Sequence, residues 1–398
     1  MLGRLTTAII ELIYPYKDYL IIRVARYGWR MFKYGWRMFM MFMATPFAIL
    51  VFIIRPVVHV RFNRINRARI GHFVVDACMM LAFKTIDSDQ RYYDLCWYSA
   101  GAPANSFFDK KIHELLDFNI FAQYVAQVIK YFPYGAEHTD VFRDSRDKDC
   151  VFYRTINVKS SYVNFDKSEN KMGFDYLRKH GINQGDKFVC LLVRDSAYLE
   201  SFSSNYLTDR DWSYHDYRDS NIKNYLMAAK EMTKRGYYVF RMGETVKNNL
   251  MVNNSAIIDY TTKGKRSDFL DVYLGAKCDF MICSETGLNH IPIVFRRPVV
   301  LVNYVLLWGL IRWPSGIIIS KKYYSINDKR YLSFKEIIEL GVFSTGNYLI
   351  QKGIRLIENT AGEIHDAAIE MDERLKGNWN ITKEDEDLQQ SLWEILGT

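Results

Sequence analysis

The chain has 398 residues, of which 49% are hydrophobic, and a formal net charge of +8. This length exceeds what one hydrophobic core usually supports, so we expect two globular units and an appendage. The six cysteines lie far apart without a CxxC pair, which argues against a zinc cluster or a disulfide framework and favours a reducing compartment.

Basic residues are concentrated at the N-terminus. Residues 1–37 carry seven basic side chains against two acids and contain the repeat YGWRMF-K-YGWRMF. Read as a helix, the basic residues from Arg23 to Arg37 follow a spacing of three and four, which makes one basic stripe beside an aromatic surface. This composition is typical of a helix in the headgroup layer of an anionic membrane, and an ordinary amphipathic docking helix is the alternative.

The next segment, Met38 to Ile54, carries no charge. As a helix it would span roughly 26 Å, less than the ~30 Å hydrocarbon core, and Pro46 is predicted to interrupt it. Basic residues flank both ends, so a single span would oppose the positive-inside tendency at one end. We therefore expect residues 1–60 to form a basic aromatic arm and a monotopic or re-entrant anchor, with a true span as the alternative.

From about residue 61 strand-like and helix-like segments alternate. In the first half, RIGHFVVDACMMLAF reads as a turn containing Gly71 and His72 followed by a helix, and another helix is expected near Lys110–Tyr131. Turn signals are sparse here, so the strands of this half are weakly defined.

The second half is punctuated more clearly. Helices are expected from Ile222 to Thr233, with Asp219 or Ser220 as the cap and Gly236 at the end, and over DFLDVYLGAK. Buried strands are expected at FVCLLV (188–193), YYVFRM (237–242), AIIDY, FMICS and VVLVN (299–303). Strands that alternate with helices predict an α/β fold with an open parallel sheet.

A long polar loop follows the first of these strands. Residues 194–219 form a loop of 26 positions, where roughly two to six are usual, and long loops inside compact domains tend to be functional. Ligands of parallel sheets bind beyond the carboxyl ends of the strands, where this loop lies. The loop holds, among other charged residues, Arg194, Asp195, Arg210, Asp211, His215, Asp216 and Arg218. A solvated loop with internal ion pairs is the alternative.

Two other strand ends contribute groups of the same kind. Arg241 and Gly243 close the second strand and supply a guanidinium and an approachable backbone. A later strand is followed by Ser284, Glu285, Thr286 and Gly287, where a helix N-terminus with small hydroxyl residues suits a phosphate. Arginine forks and helix N-termini predict a pyrophosphate site without a metal. For Thr286, plain helix capping remains equally open.

Metal and nucleic acid are both disfavoured. Asp-x-Asp patterns occur at 87–89, 147–149 and 209–211, but none follows a convincing buried strand, so no metal site is predicted. The sequence has no GxGxxG after a strand, no Walker lysine loop and no GxSxG elbow. Outside the basic arm the body is close to neutral, which argues against a nucleic-acid partner.

Several motifs resemble one family. CLLVRDSAYL, WSYHDYRDSNIKNYL, RGYYVFRMG, SDFLDVYLGAKCDFMICSETGL, IPIVFRRPVVLVNY and the upstream RIGHF resemble the glycosyltransferases of bacterial surface polysaccharide and O-antigen clusters. More distantly, the second half is similar to heptosyltransferases and fucosyltransferases. That resemblance implies a GT-B-like fold, with two facing Rossmann-like domains behind the membrane-associated arm. It implies an acceptor domain at 61–183, a donor nucleotide-sugar domain at 184–345 and C-terminal helices at 346–398.

The resemblance also implies roles for single residues. Arg194 matches an arginine that contacts the donor phosphates in fucosyltransferase-like enzymes, although Leu192 stands where a histidine usually precedes it. Residues 284–287 match the small-residue turn near the donor phosphates, with the acid Glu285 where a neutral residue is expected.

Together, the pattern and the resemblance predict a metal-independent glycosyltransferase without a cofactor. It would move a sugar from a nucleotide-sugar donor to a lipid-linked or surface polysaccharide, such as O-antigen, lipopolysaccharide or capsule, at the cytoplasmic face of the bacterial inner membrane. The expected donor-binding residues are Arg194, Asp195, Arg218, Arg241, Gly243, Ser284, Glu285, Thr286 and Gly287.

The catalytic candidates are Arg194 for the leaving diphosphate and His215, Asp216 or His72 as general base. Two other functions stay open at this point. One is a non-catalytic, membrane-associated nucleotide-binding scaffold of polysaccharide assembly, and the other is a pyruvyl or phosphoryl transferase.

Overall fold

The computed structural model describes residues 17–86, 91–99, 101–139, 161–197, 200, 213–250, 252–261, 266–305, 315–340 and 346–396. The chain divides into two compact units. The first unit comprises Met1–Arg64, Asp87–Tyr98 and Asp117–Val141, and the second comprises Ile65–Ile86, Ser99–Leu116 and Phe142–Thr398. The four-part division into 1–60, 61–183, 184–345 and 346–398, and the facing arrangement of two Rossmann-like domains, stay predictions.

The helices and strands are numbered here along the chain. The described helices are α1 (Lys17–Ile54), α2 (Ile70–Ile86), α3 (Ser106–Leu115), α4 (Ala122–Ile129), α5 (Lys167–Arg178), α6 (Leu226–Lys234), α7 (Asp268–Lys277), α8 (His290–Val294), α9 (Phe334–Glu339), α10 (Gly346–Gln351), α11 (Ala361–Lys376) and α12 (Lys383–Leu396). The described strands are β1 (His59–Ile65), β2 (Tyr92–Tyr98), β3 (Lys187–Leu192), β4 (Tyr237–Met242), β5 (Ile257–Asp259), β6 (Phe280–Cys283), β7 (Val299–Tyr304), β8 (Gly316–Ser320), β9 (Lys322–Ser325), β10 (Arg330–Tyr331) and β11 (Ile354–Ile357).

Helix α1 belongs to the first unit and runs without a break through Pro46. The prediction that Pro46 interrupts this segment is therefore wrong. A proline ring removes one backbone hydrogen bond, and here apolar packing on both sides of it compensates. Ala44 and Ala48 are fully buried in a hydrophobic cluster that includes Val125 and Ile129 of α4. The helix is thus held by its contacts rather than by propensity alone.

Much of α1 projects away from that cluster. Its aromatic residues Trp29, Phe32, Trp36 and Phe39 are exposed, and the Trp29 and Phe32 rings stack at 5.6 Å. The segment Tyr27–Ile54 has a mean hydropathy of 2.1 over its most apolar window, of which 11% is buried. By length and composition it can cross a membrane, although core helices and signal sequences pass the same test. Membrane association stays a prediction.

The rest of the first unit is built on β1 and β2, which pair in a two-stranded sheet. A buried ion pair holds these strands together, because the Arg61 guanidinium donates to both oxygens of Asp94, at 2.9 and 2.6 Å. The single helix expected near Lys110–Tyr131 is two helices, α3 in the second unit and α4 in the first. Asn119 lies between them, and its side chain accepts the N–H of Phe121 at 2.8 Å, as turn-forming asparagines do.

The second unit is built on a six-stranded sheet of order β5-β4-β3-β6-β7-β8, in which every neighbouring pair is parallel. Counted from β3, this is the strand order 3-2-1-4-5-6 of the doubly wound Rossmann sheet. Five of the six strands coincide with predicted apolar runs, so the α/β parallel-sheet prediction is confirmed. The sixth strand, β8, was not predicted, although it contains three consecutive isoleucines, Ile317 to Ile319.

Helices cover both faces of this sheet. On one face, Ala229 of α6 and Ala368 of α11 pack against Val189 and Leu191 of β3 in a single buried cluster. On the other face, the thiol of Cys190 donates to the carbonyl of Leu274 in α7 at 3.6 Å. Small side chains at these contacts let the helices approach the strands closely.

The helix expected from Ile222 begins as a 3₁₀ turn, Ile222–Tyr225, and continues as α6. Its cap is neither Asp219 nor Ser220 but Asn221, whose side chain accepts the N–H of Lys223 at 3.1 Å. Asp219 and Ser220 immediately precede Asn221, and their backbone N–H groups donate to the carbonyls of Asp216 at 2.9 Å and Arg194 at 3.0 Å. Gly236 follows the helix with a φ of +88°, a conformation that glycine adopts without strain.

Candidate functional site

The carboxyl ends of β3 and β6 lie side by side, at the point where the strand order of the sheet reverses. Such a switch point leaves a crevice in which ligands of open parallel sheets bind. The backbone N–H of Arg194 donates to the hydroxyl of Ser284 at 2.8 Å, and the N–H of Ser284 donates to the carbonyl of Leu192 at 3.1 Å. Two predicted segments that are 90 positions apart therefore meet in this crevice.

Four charged side chains gather at the switch point, and we call them the switch-point cluster: Arg194, Arg218, Asp219 and Glu285. Nε of Arg194 lies 3.1 Å from Oδ1 of Asp219, and Nη1 of Arg218 lies 3.2 Å from Oε1 of Glu285. Nη2 of Arg218 also donates to Nδ1 of His215 at 2.6 Å. The arginine side chains are 12% and 19% exposed, so these charges are largely withdrawn from water.

Burial sets the electrostatics of the cluster. It lowers the pKa of Arg194, and the nearby Arg218 lowers that pKa further. Burial likewise raises the pKa of Glu285 and of Asp219 above the usual range, although an arginine beside each carboxylate opposes the shift. Burial thus disfavours the charged forms of Arg194, Asp219 and Glu285 relative to water. An incoming anion would relieve the repulsion between the two guanidiniums.

Several N–H groups of the cluster lack acceptors among the residues that the structure describes. Nε and Nη2 of Arg194 and Nε of Arg218 are buried without a hydrogen bond. The Arg194 Nε is within ion-pair distance of Asp219, but its N–H does not form a hydrogen bond to that carboxylate. A buried unpaired donor costs about 1–3 kcal/mol. Unpaired guanidinium donors at a switch point are suited to the oxygens of a phosphate group.

A cavity of about 1390 Å³ opens along the same edge of the sheet. Asp195, Asp216, Asp219, Lys321 and Glu358 contribute polar groups to its wall. Leu226, Leu250, Leu349 and Ile354 line its apolar part. Its volume exceeds that of most small-molecule sites, roughly 300–1,000 Å³, so a ligand of nucleotide size fits within part of it.

A second cavity of about 100 Å³ lies on the other side of Asp195. Its wall includes Arg194, Gly243, Arg266, Asp271 and Thr286. Arg194 therefore borders the smaller cavity, while its ion-pair partner Asp219 borders the larger one.

Arg241 is placed differently from the other arginines. Its side chain is 2% exposed, and Nη1 donates to Oδ2 of Asp259 at 3.1 Å and to the carbonyl of Asn248 at 2.6 Å. Through these contacts the guanidinium has a structural role, because it holds the 247–250 turn that borders the larger cavity. A direct contact between Arg241 and a donor stays a prediction, and its geometry offers little surface for one.

Asp195 and Gly243 shape the neighbouring loops. The Asp195 carboxylate accepts the N–H groups of Ala197 at 3.0 Å and Lys247 at 2.9 Å. Gly243 has a φ of +145°, and a β-carbon there would lie 3.1 Å from Val246. The turn after β4 therefore requires glycine, whatever its role in binding.

The RIGHF and SETG segments come together through two glycines. A β-carbon built on Gly71 would lie 2.8 Å from the α-carbon of Gly287, so the two backbones are in direct contact. His72 follows in the first turn of α2 and is exposed. Beside it, His290 is half-buried, and desolvation lowers its pKa to about 4, so its ring is neutral at pH 7.

The remaining predicted residues are accounted for as follows. Thr286 precedes the 3₁₀ turn Gly287–Asn289 and makes no side-chain capping bond to it. Asp216 is exposed on the wall of the larger cavity. Arg210, Asp211 and all three Asp-x-Asp pairs lie outside the described residues. Within the described ranges, no group of three or more His, Cys, Asp or Glu side chains is placed to hold a metal ion.

Sequence reasoning missed Lys321 and Asp271. Lys321 stands in a KK pair between two short strands, and nothing in that pattern distinguishes it from its neighbour Lys322. Asp271 lies on a helix whose period predicts a solvent-facing acid, yet its side chain is buried against Arg266, with Oδ2 and Nη2 2.7 Å apart. Only the tertiary structure separates these residues from ordinary surface charges.

No protein-family model matches the sequence, and no curated protein matches it significantly. The solved structures that match include a family 9 glycosyl transferase from Veillonella parvula, with 11% identity, coverage of 78% of this chain and 96% of that chain, and a TM-score of 0.43. Another is the E. coli ADP-heptose lipopolysaccharide heptosyltransferase II, with 9% identity, 65% and 90% coverage and a TM-score of 0.38.

A third is the iron-containing dodecameric glycosyltransferase TibC of enterotoxigenic E. coli, with 14% identity, 66% and 62% coverage and a TM-score of 0.37. All three of these solved proteins are described as glycosyltransferases. Likenesses at TM-scores of 0.43 and lower carry no argument about the activity of this chain.

Asp271 generates a prediction for the pH dependence of stability. Burial raises its pKa to about 7, against the opposing charge of Arg266. In the unfolded chain the pKa of an aspartate is near 3.9. At pH values between that pKa and the raised pKa of the native protein, Asp271 holds a proton in the native state and has lost it in the unfolded state. The free energy of unfolding therefore falls as pH rises through this window. At about 1.4 kcal/mol for each pH unit, we expect a loss on the order of 2–4 kcal/mol from pH 4.5 to 7.5.

The Asp271→Asn variant has no carboxyl to titrate and should lose less stability over the same range. Urea unfolding of both proteins at several pH values measures the difference. Parallel curves for the two proteins would show that Asp271 has no unusual affinity for its proton.

Proposed function

We propose that the chain is a glycosyltransferase that transfers a sugar from a nucleotide-sugar donor to a lipid-linked or surface polysaccharide acceptor at the cytoplasmic face of the bacterial inner membrane. One observation carries the proposal. Arg194 and Arg218 meet at the switch point of a Rossmann-order sheet, with buried N–H groups that have no acceptor among the described residues. This is the place and the chemistry that a diphosphate requires.

The reaction chemistry follows from the two guanidiniums. When a sugar leaves its donor, negative charge develops on the departing nucleoside diphosphate. Arg194 and Arg218 would stabilise that charge, and low exposure makes the interaction stronger than it would be in water. No divalent ion is needed in this scheme, so we propose a metal-independent and cofactor-free transfer.

The general base is better sought at His72 than at His215. Nδ1 of His215 accepts a hydrogen bond from Arg218, because a guanidinium can only donate. The neutral ring then carries its proton on Nε2, which leaves neither nitrogen free to take another. His72 is exposed in the turn that contacts Gly287, beside the neutral His290. Asp216, exposed on the cavity wall, is a further candidate.

The acceptor and the location are proposed from α1. A membrane-bound enzyme meets a lipid-linked glycan at the surface where that glycan is assembled. The exposed aromatic residues of α1 and the basic side chains of Arg30 and Lys33 suit an anionic lipid surface. The basic flanks keep both ends of the apolar segment at the cytoplasmic side in this proposal.

A non-catalytic nucleotide-binding scaffold is the second candidate. The observation that favours it is the internal pairing of both arginines with Asp219 and Glu285, which a scaffold would keep intact. Purified enzyme slowly hydrolyses its sugar nucleotide in the absence of acceptor, whereas a scaffold only binds it. Release of free sugar from the bound donor therefore separates the two.

The first prediction for this function concerns donor binding. We expect one or more of the nucleoside diphosphates ADP, GDP, UDP, CDP and TDP to raise the melting temperature in buffer that contains a chelator. Binding to the native state stabilises it by about 2.7 kcal/mol at a hundredfold excess over Kd. Thermal shift identifies the base, and calorimetry with and without magnesium tests the metal. Binding that depends strictly on the ion would contradict the metal-free site.

The second prediction concerns Arg194 and Arg218. Lysine at either position should harm transfer nearly as much as alanine, because an ammonium cannot reproduce the bidentate fork. We expect turnover to fall by roughly two to three orders of magnitude, or about 3–4 kcal/mol. The control is Arg330→Lys, which changes an exposed arginine paired with Glu336 and should leave turnover unchanged. Near-normal transfer by both site variants would remove the cluster from the active site.

The third prediction concerns the membrane. Replacing Arg30 and Lys33 by glutamine should weaken binding to vesicles that contain anionic lipid, by about 1 kcal/mol for each charge. Both side chains are exposed in the described structure, so the fold should be unaffected. Vesicles of neutral lipid serve as the control, because they should bind the variant and the unmodified chain alike. Equal binding of the two proteins to anionic vesicles would argue against the basic stripe as a membrane contact.

A further inference from the structure

Lys321 is a buried lysine between β8 and β9. The residue is 5% exposed, and its backbone N–H donates to the carbonyl of Tyr304 at the end of β7, at 2.8 Å. Its ammonium donates to the carbonyl of Tyr217 at 3.0 Å and to the carbonyl of Asp219 at 2.7 Å. These two carbonyls belong to the residues on either side of Arg218.

A buried ammonium at this place is costly. Burial lowers the pKa of Lys321, and the negative charges of Glu358, Asp219 and Glu285 offset part of that effect. A neutral side chain with one donor would satisfy one of the two carbonyls, whereas the ammonium satisfies both and has a third N–H. Few other side chains could therefore donate to both carbonyls from this position.

Glu358 holds the end of the same segment, but it accepts hydrogen bonds where Lys321 donates them. Its Oε2 accepts the backbone N–H of Asn221 at 3.0 Å and the side-chain amide of Asn224 at 3.2 Å. Lys321 thus fixes carbonyls before the start of the 3₁₀ turn at Ile222, and Glu358 fixes an N–H at that start. Both residues come from the region that carries β8, β9 and β11, more than 100 positions away in sequence.

The side chain of Tyr217 completes this support. It packs against the small hydrophobic cluster that contains Val305, Tyr323 and Ile337. The backbone of Arg218 therefore has a packed ring on its N-terminal side and fixed carbonyls on both sides. The guanidinium has only its own side-chain torsions left with which to move away from His215 and Glu285.

We infer that Lys321 is a positioning residue that holds the backbone on both sides of Arg218, so that its guanidinium stays at the switch point to receive the diphosphate of the donor. The inference rests on the proposed function for the identity of the ligand. It does not depend on that function for the hold on the loop itself, which can be measured without a ligand.

The test compares Lys321→Met with the matched control Lys322→Met. Methionine keeps an unbranched chain of similar length and removes the donors and the charge. Lys322 is the adjacent lysine, and its ammonium pairs with Glu363 at 2.6 Å on the protein surface. We expect Lys321→Met to speed amide hydrogen exchange in the segment 213–219 at least tenfold and to weaken nucleoside diphosphate binding about tenfold. Lys322→Met should change each by less than twofold.

A double-mutant cycle separates positioning from a general loss of stability. In an Arg218→Ala background, Lys321→Met should weaken binding of the same nucleoside diphosphate by less than a further twofold, because the group that it positions is gone. A tenfold loss in both backgrounds would overturn the inference, since Lys321 would then act on the ligand or on the whole fold. Unchanged exchange in the segment 213–219 would overturn it as well.

Lys321→Arg serves if the methionine variant does not fold. Arginine keeps the charge, but its guanidinium is larger than an ammonium and planar, so it cannot take the ammonium's place without moving the two carbonyls. We expect faster exchange in the segment 213–219 and a loss of nucleotide affinity of threefold or more, and unchanged values for both would contradict the inference. If the unmodified protein binds none of the five nucleoside diphosphates, the proposed function fails, while the exchange measurement still decides whether Lys321 holds the loop.

Discussion

The reversal of strand order beside β3 is the constraint on which the site depends. The connection from β3 leads to β4 on one side, whereas β6 pairs on the other side, so no single crossover covers the gap between the ends of β3 and β6. The hydrogen bond from the Arg194 N–H to the Ser284 hydroxyl closes this gap at its base. The candidate site is built on the residues that follow these two strands and on residues 213–219, which carry Arg218 and Asp219.

The sequence predicted the strands best where both faces of the sheet are buried. Strands covered by helices on both faces are continuous apolar runs, so β3, β4, β6 and β7 were predicted almost residue for residue. The strand β8 has only the short apolar run Ile317–Ile319 and was not predicted, and the strands β9 and β10, KYYS and RY, have no aliphatic run. Features set by tertiary contacts were missed or misjudged: α1 continues through Pro46 because Ala44 and Ala48 pack on α4, and Asn221 caps the helix that Asp219 was expected to cap.

In the candidate site, too, some features can be predicted from the sequence and others are set by tertiary contacts. The sequence shows that an arginine stands at the end of a strand, but it does not show which carboxylate pairs with that arginine. Arg194 and Arg241 look alike as residues at the ends of neighbouring strands, yet Arg241 is committed to Asp259 while Arg194 keeps unpaired N–H groups among the described residues. Which of two arginines faces a ligand depends on carboxylates that arrive from elsewhere in the chain. The switch-point cluster also shows that burial alone does not mark a ligand site, since paired charges can be buried for purely structural reasons.

The contact between Gly71 and Gly287 decides how the candidate base relates to the donor crevice. Gly71 and Gly287 have no side chains, so the backbones of their two segments are in direct contact. Backbone contact fixes the distance between the segments more tightly than side-chain packing would. A β-carbon on either glycine would have to push the segments apart. His72 follows Gly71 directly, and Thr286 directly precedes Gly287. The contact between the two glycines therefore also fixes how far apart the backbones of His72 and Thr286 lie. Because residues 65–86 belong to the same compact unit as the sheet, the position of His72 beside the crevice does not depend on how the first unit is arranged.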